Sequence, residues 1–447
     1  MVQRCGLDRA LPVLVGVSGG ADSLTLLDIL CQSGYPVVVA HVNHQLRASA
    51  GQDADRVQAV AAQYGMPFRL GLVNVGEYAA AHHLSIEEAA RILRYRFLGQ
   101  TAQEVGAQAL AVGHTADDQV ETVLMHLLRG AGLAGLAGMR YRSQIPDLLG
   151  NLPVVRPLLG VWRKETEAHC CELGIQPVQD ETNQDVRYER NRIRLEIIPA
   201  LEKTYPHLKE NLWRTAQVLA GDEEALRVYL DEQLMGETVE WGDCYAALDR
   251  VYWRMQPVGM QRRVIRRAGM HLRPTLRDVG FDAVERALRF FHQPSESGSA
   301  DWLDGMVLEQ QGRWMLIREA DAQVLLKDEP QVTDSAAQLP IPGRIHLSDG
   351  WQLTAEEFPA DEAILQQARK NSDPNTAYLD ADRVRRPLGV RGFLSGDRMQ
   401  PLGMKDKTIK ISDLYTNLKI PRAARAGVPL VISGDEILWV GGYRLAD

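Results

Sequence analysis

Short apolar runs alternate with helix-like patterns over roughly the first 160 residues. Leu11-Pro-Val-Leu-Val-Gly-Val17 is a valine-rich run that breaks at Ser18-Gly19-Gly20 and resumes as an apolar-periodic segment, Ala21 to Leu30. That order predicts a buried strand, a tight loop and a helix. Tyr35–His41, Phe68–Asn74, Ala109–His114 and Leu152–Leu158 read as further strands. Helices are predicted around Asp53–Tyr64 and through Phe97 from a capping box at Ser85-Ile-Glu-Glu88; another starts at Thr115. Repeated β–α order predicts an α/β fold, a doubly wound parallel sheet covered by helices. Ligands of such sheets lie beyond the carboxyl ends of the strands, which gathers Ser18–Ser23, His41–His44 and His114–Glu121 around one crevice. The glycine-rich stretch Gly130–Met139 reads as a flexible cover.

Farther along, the pattern is helical from about Leu208 to Gln293. It turns to short β-like runs from Gly298 and ends in a hairpin-like Val431–Val440. Three domains are expected: 1–205 for the doubly wound sheet, 206–325 mainly helical, and 326–447 a small, basic α+β domain. No apolar run in the 447 residues reaches the length of a membrane span, and the first residues carry no signal-peptide pattern. Five cysteines without a Cys-x-x-Cys argue against a disulfide framework or a cysteine-held metal, so a reducing cytoplasm is expected. The whole chain carries −8, yet Arg383–Arg425 holds eleven basic and three acidic residues, 11 − 3 = +8. Such asymmetry suggests an anionic partner near the C-terminus, with a solvated basic face as the equal alternative.

The chemistry starts at Ser18-Gly19-Gly20-Ala21-Asp22-Ser23. Glycines let the backbone approach a ligand, and free N–H groups at a helix start favour an anion. Asp22 is out of place in a simple anion nest unless a cation arrives with the anion. Neither Gly-x-x-x-x-Gly-Lys-Ser/Thr nor Gly-x-Gly-x-x-Gly occurs, and no lysine precedes Lys164. An ordinary capped turn is the bland alternative. Asp117, Asp118 and Glu121 crowd the start of the helix after Thr115. There they suit Mg²⁺, an amine or a proton, or serve only as cap and solvated face. Arg91 and Arg94 share a helix face, and a guanidinium there suits the charge of a leaving phosphate. Arg187, Arg190, Arg192 and Arg194 with Tyr188 can contact RNA phosphates and stack on bases, or form a salt-bridged surface.

The loop Ser18–Ser23 resembles the pyrophosphate loop of the N-type ATP pyrophosphatases. Taken together with His41-Val-Asn-His44, Glu87–Leu98, Gly113–Thr122, Asp180-Glu-Thr-Asn183, Arg190–Arg194, Gly396–Met404, Lys419–Arg422 and Ile437–Val440, the chain is similar to the bacterial tRNA(Ile)-lysidine synthetases. The resemblance implies that ATP adenylates the C2 oxygen of the wobble cytidine of a CAU anticodon and that free L-lysine then displaces AMP. It implies that Ser18, Gly19, Gly20, Ala21, Asp22 and Ser23 hold ATP and that Asp22 and Asp118 bind Mg²⁺. Asp22, Arg94, Asp117, Asp118 and Glu121 would serve catalysis, the three carboxylates sharing metal, lysine and proton duties in an open order. Arg190, Arg192, Arg194, Arg398, Lys419 and Arg422 would contact tRNA; no membrane partner is implied, and a homodimer is left open. The alternatives are a relative that thiolates a tRNA base, which usually needs reactive cysteines, and a non-catalytic RNA-binding protein.

Overall fold

A computed structural model of the chain describes residues 2–45, 50–178, 185–234, 239–274, 279–294, 297–322, 324, 326, 330–333, 336–404, 407–418, 420 and 424–447. It divides into two compact units, Met1–Gln233 and Leu234–Asp447.

The first unit is built on a six-stranded sheet of order β3-β2-β1-β4-β6-β5. Its strands are β1 (Val13–Gly16), β2 (Val37–Asn43), β3 (Phe68–Leu72), β4 (Leu110–Val112), β5 (Arg142–Gln144) and β6 (Pro153–Val155). All pairs are parallel except β5 with β6, so β5 is an antiparallel edge. The helices are α1 (Ala21–Gln32), α2 (Ala50–Gln63), α3 (Val75–His82), α4 (Ile86–Glu104), α5 (Ala116–Leu128), α6 (Leu133–Leu136), α7 (Pro146–Leu149), α8 (Arg163–Glu172), α9 (Glu189–Arg192), α10 (Ile198–Glu202) and α11 (Leu208–Tyr229).

The unbroken apolar character of β1 follows from burial on both faces. Val13, Val15, Val37, Val39, Ala111 and Val155 pack with Leu24, Leu27, Val57 and Cys170 of α1, α2 and α8. Leu14, Val38, Leu110 and Val154 pack on the other face against Tyr95, Leu98 and Ala102 of α4. Ser85 accepts the Glu88 N–H at 3.2 Å and starts α4, as its spacing predicts. The chain reverses direction across the sheet between β1 and β4, so a crevice opens beyond their carboxyl ends.

The glycine-rich stretch after α5 is not a loose cover. It forms α6, and Gln119 pins it with Nε2 donating to Ala137 O at 3.2 Å and Met139 O at 3.1 Å, while Met139 N–H donates back at 2.7 Å. A Cβ on Gly138 would sit 2.6 Å from Gln119 Nε2, and its φ of +65° also calls for glycine.

The second unit contains a five-stranded sheet, β7-β8-β11-β10-β9, and a second of order β12-β15-β18-β19-β20. In the first of these, β7 (Val239–Gly242), β8 (Tyr245–Asp249), β9 (Ser297–Asp301), β10 (Met306–Gln311) and β11 (Trp314–Glu319) pair antiparallel. Helices Val258–Leu272 and Phe281–Phe291 pack with this sheet, and Trp253 and Phe291 meet edge-on at 5.9 Å. The hairpin β7–β8 thus interrupts a segment whose periodicity reads as helical; Glu, Arg and Leu from the flanking helices mask its short alternation.

The second sheet comprises β12 (Ala337–Leu339), β15 (Leu388–Arg391), β18 (Leu430–Ser433), β19 (Glu436–Val440) and β20 (Arg444–Leu445), with β18–β19 forming the expected hairpin. Two further pairs, β13 (Gly343–His346) with β14 (Gln352–Ala355) and β16 (Arg398–Met399) with β17 (Ile409–Lys410), complete this unit. Helix Ile411–Asn417 buries Tyr415 within the same unit's core. No helix among the described residues is long and apolar enough to cross a membrane.

Candidate active site

The loop between β1 and α1 is held open by its own hydroxyls. Ser18 N–H donates to Ser23 Oγ at 3.2 Å, and Ser23 Oγ donates to Gly20 O at 2.9 Å. Gly19 has φ +90° and is crowded by Val178 and Val57; a Cβ there would lie 3.0 and 3.3 Å from their methyl groups. Gly20 is the N-cap of α1 without a side-chain cap, so the first N–H groups of the helix have no side-chain acceptor. His41 Nδ1 lies 2.8 Å from Val17 O and ties the end of β2 to this loop. The fourth strand comes close from the other side. A Cβ on Gly113 would meet Asp22 C at 3.0 Å and Ser23 N at 3.1 Å.

Asp118 and Glu121 of α5 face this loop through Arg163, the first residue of α8. Arg163 Nε is 3.5 Å from Asp22 Oδ2, Nη2 is 3.3 Å from Asp118 Oδ1 and Nη1 is 3.7 Å from Glu121 Oε1. One guanidinium therefore joins three of the expected carboxylates. Burial penalises the Asp22 charge most and raises its pKa, against the Thr166 hydroxyl, which donates at 2.5 Å, and Arg163. Burial also works against the charge on Asp118, but Arg190 and Arg163 outweigh it and hold that carboxyl below the usual range. Asp118 additionally completes a capping box with Thr115, so the capping role its spacing suggests is present.

Asp117 points elsewhere. Its Oδ2 accepts the Arg163 backbone N–H at 2.8 Å, at the N-terminus of α8, and its Oδ1 is 3.3 Å from Lys209 Nζ. Glu121 is 2% exposed and lies under two more arginines. Arg190 Nε donates to it at 2.8 Å, and Arg194 donates from Nε at 2.6 Å and Nη2 at 2.9 Å. Arg190 and Arg194, four residues apart, thus turn inward, while Arg192 is exposed. Arg194 stands in a π-helical turn, Ile193–Ile197, a departure that often marks functional sites.

Arg94 stands on α4, exposed, with its guanidinium carbon 5.9 Å from the Tyr95 ring centre. It is not among the groups that contact the acidic cluster. His44 and His114 follow β2 and β4, and among the described residues each has a buried Nδ1 without a hydrogen-bond partner. Burial, followed for His44 by Arg94, lowers both imidazoles to about 4. Arg398 is exposed and donates to Thr408 O at 3.3 Å. Lys419, Arg422 and Asp180–Asn183 fall outside the described residues.

Arg163 is the residue that sequence reading missed. Its signal was electrostatic: Arg163-Lys164 opens a helix, where the dipole disfavours cations, so acidic partners had to be near. Among the described residues no group of three or more His, Cys, Asp or Glu is arranged to hold a metal ion. The pair Asp22 and Asp118, both hard oxygen donors, one with its charge penalised by burial, fits a Mg²⁺ that arrives with a nucleotide.

Residues 5–201 match the PP-loop domain family, and residues 388–447 match the TilS substrate C-terminal domain family. The chain is 36% identical to a tRNA(Ile)-lysidine synthase of Dehalococcoides mccartyi, over 97% of this chain and 91% of the relative. It is 34% identical to one of Geobacter sulfurreducens, over 97% and 88%. Among solved structures, a U34-tRNA thiolase from Methanococcus maripaludis aligns at 20% identity over 48% of this chain and 74% of that one, with a TM-score of 0.40.

Proposed function

Because the chain belongs to the tRNA(Ile)-lysidine synthase family, ATP-using enzymes of tRNA modification, we propose that it joins free L-lysine to C2 of the wobble cytidine of a CAU anticodon. The observation that supports this most is the meeting of the glycine loop, through Asp22 and Arg163, with Asp118 and Glu121. An anion cradle and a carboxylate cleft at one sheet edge suit a nucleotide beside a cationic amine.

The residues divide the work as follows. Ser18–Ser23 hold the phosphates of ATP, with helix-start N–H groups toward the leaving pyrophosphate. The cytidine C2 oxygen attacks the α phosphorus, and pyrophosphate departs. Asp22 and Asp118 would hold Mg²⁺, which offsets phosphate charge when bound. A free lysine amine, with a pKa of about 10.4, is mostly protonated at neutral pH and must lose that proton before attack. Glu121, buried beside Asp118, binds the ammonium or takes its proton. The amine then adds to C2, and AMP leaves with the former C2 oxygen. Arg163, which joins the acidic side chains, and Arg94 would offset charge on the phosphates. The basic residues near the C-terminus, Arg398, Lys419 and Arg422 among them, hold RNA phosphates.

The test is direct. The protein is incubated with ATP, labelled lysine and a tRNA(Ile) transcript with a CAU anticodon. Label is expected in the RNA, at the wobble position, with one AMP per lysine. Sulfur transfer without lysine incorporation, or RNA retention without AMP release, overturns the proposal.

A further inference from the structure

Among the described residues, one buried cation beyond the carboxyl ends of the same strands has no counter-ion. Arg156 follows β6 directly and is 7% exposed. Val155 pairs with Ala111, which places Arg156 one residue past that register, beside the end of β4. Side chains alternate along a strand, so Arg156 shares the face of Val154, the face covered by α4. Its Nη1 donates to Arg140 O at 3.0 Å and to Ser143 Oγ at 2.8 Å. Its Nε is buried without a partner. Among the described residues, Nη2 makes no hydrogen bond and no carboxylate pairs with the side chain.

The surroundings add positive charge. Arg91 stands over the Tyr95 ring at 4.9 Å, on the same helix as Arg94. Burial lowers the pKa of Arg156, Tyr95 opposes that, and Arg91 reinforces it. Taking a guanidinium out of water without a counter-ion is expensive, so this one calls for an anion that arrives from outside. The free edge, Nε with Nη2, is the fork that receives a planar carboxylate through two parallel hydrogen bonds. A phosphodiester, with a ribose on either side, suits an open surface better than a site this buried. Past the end of β4, His114, its Nδ1 also unpartnered among the described residues, is within electrostatic reach of Asp118 and of Arg156, Arg190 and Arg94. A carboxylate and several guanidiniums thus act on one imidazole, a mixed-charge setting that suits a zwitterion.

We propose that Arg156 binds the α-carboxylate of the free amino acid that this enzyme joins to RNA. This rests on the lysine reading above.

The test uses the full-length protein, ATP and the tRNA transcript, and compares lysine with 1,5-diaminopentane, which lacks the carboxylate, as acceptors in AMP formation. The wild type is expected to favour lysine about 100-fold in kcat/KM, the scale of a bidentate charged contact. Arg156→Met is expected to lose that factor for lysine, mainly through KM, and to leave the diamine unchanged, so that the preference disappears. KM for ATP and for tRNA stay as they were, and Arg156→Lys recovers part of the lysine preference. A wild type that uses the diamine as well as lysine overturns the proposal whether or not the variants fold. So does a variant in which the tRNA KM rises, the sign of an RNA phosphate at this site, or in which the lysine preference survives. A wild type that forms no lysine product at all would instead remove the functional reading beneath it.

Discussion

Gly113→Ala tests whether the nucleotide loop and the acidic helix are built as one contact. The added Cβ would lie 3.0 Å from Asp22 C, 3.1 Å from Asp22 O and 3.1 Å from Ser23 N. All three are backbone atoms in the first turn of α1, so no rotamer change relieves them. Carbon atoms at rest sit about 3.5–4.0 Å apart, which leaves a deficit of roughly half an ångström to be met by moving α1 or the β4 end. Overpacking of this kind costs about 1–3 kcal/mol. For a unit of this size that is a fall of roughly 2–12 °C in Tm. A misplacement of about 1 Å in a catalytic group costs about 100-fold in rate, so half that shift is worth roughly tenfold. Steady-state AMP formation with ATP, tRNA and lysine, together with a thermal melt, reads both. Gly51→Ala is the control: it lies within α2 with nothing within 4 Å of its Cβ, and is expected to be neutral or to stabilise by up to about 1 kcal/mol. A Gly113→Ala enzyme with unchanged Tm and unchanged rate would refute the contact.

Arg163→Met is expected to cut AMP formation by at least about 100-fold and to destabilise by about 2–3 kcal/mol, because it leaves carboxylates that shared its charge; denaturant titration and initial rates check it. Glu121→Ala is expected to abolish lysine incorporation, while Glu121→Gln, which keeps the shape, spares more stability than activity; the contrast between melting and labelling assays separates the two. In the second unit burial opposes ionisation of Asp397, but the Arg391 fork, at 2.7 and 2.9 Å, outweighs it and keeps that carboxyl below its usual range. Its contribution is present above an unfolded pKa of about 3.9 and fades as pH falls through the lower folded value. Asp397→Asn is therefore expected to be less stable at pH 7 and to show a flatter loss of Tm below about pH 4. Arg398→Ala is expected to weaken tRNA binding and reduce the salt slope by about one, measured by titration at several salt concentrations.

The parallel sheet was legible because its inner strands β1, β2, β4 and β6 are apolar and its helices announce their starts, whereas the short polar edge β5 left no signal. Thr115 and Ser85 are caps where the spacing puts them. Asp22, Asp118 and Glu121 meet because the loop and the acidic helix follow neighbouring strands, which the ligand rule for such sheets anticipates. Which cation joins them was not legible, since Arg163 comes from a helix more than forty residues beyond Asp118. The inward turn of Arg190 and Arg194 was hidden for a related reason. Arginines at a spacing of four describe a helix face equally well whether RNA or a buried glutamate lies opposite. The hairpin Val239–Asp249 escaped because two short strands between long helices carry too few alternations to break the helical period.

The central claim is that the cytidine oxygen itself takes the adenylyl group, and isotope transfer measures it. A tRNA transcript carrying ¹⁸O at C2 of the wobble cytidine is turned over with ATP and lysine, and the AMP is examined by mass spectrometry. One ¹⁸O per AMP is the predicted result. AMP without the label, formed alongside lysine-bearing RNA, would contradict it.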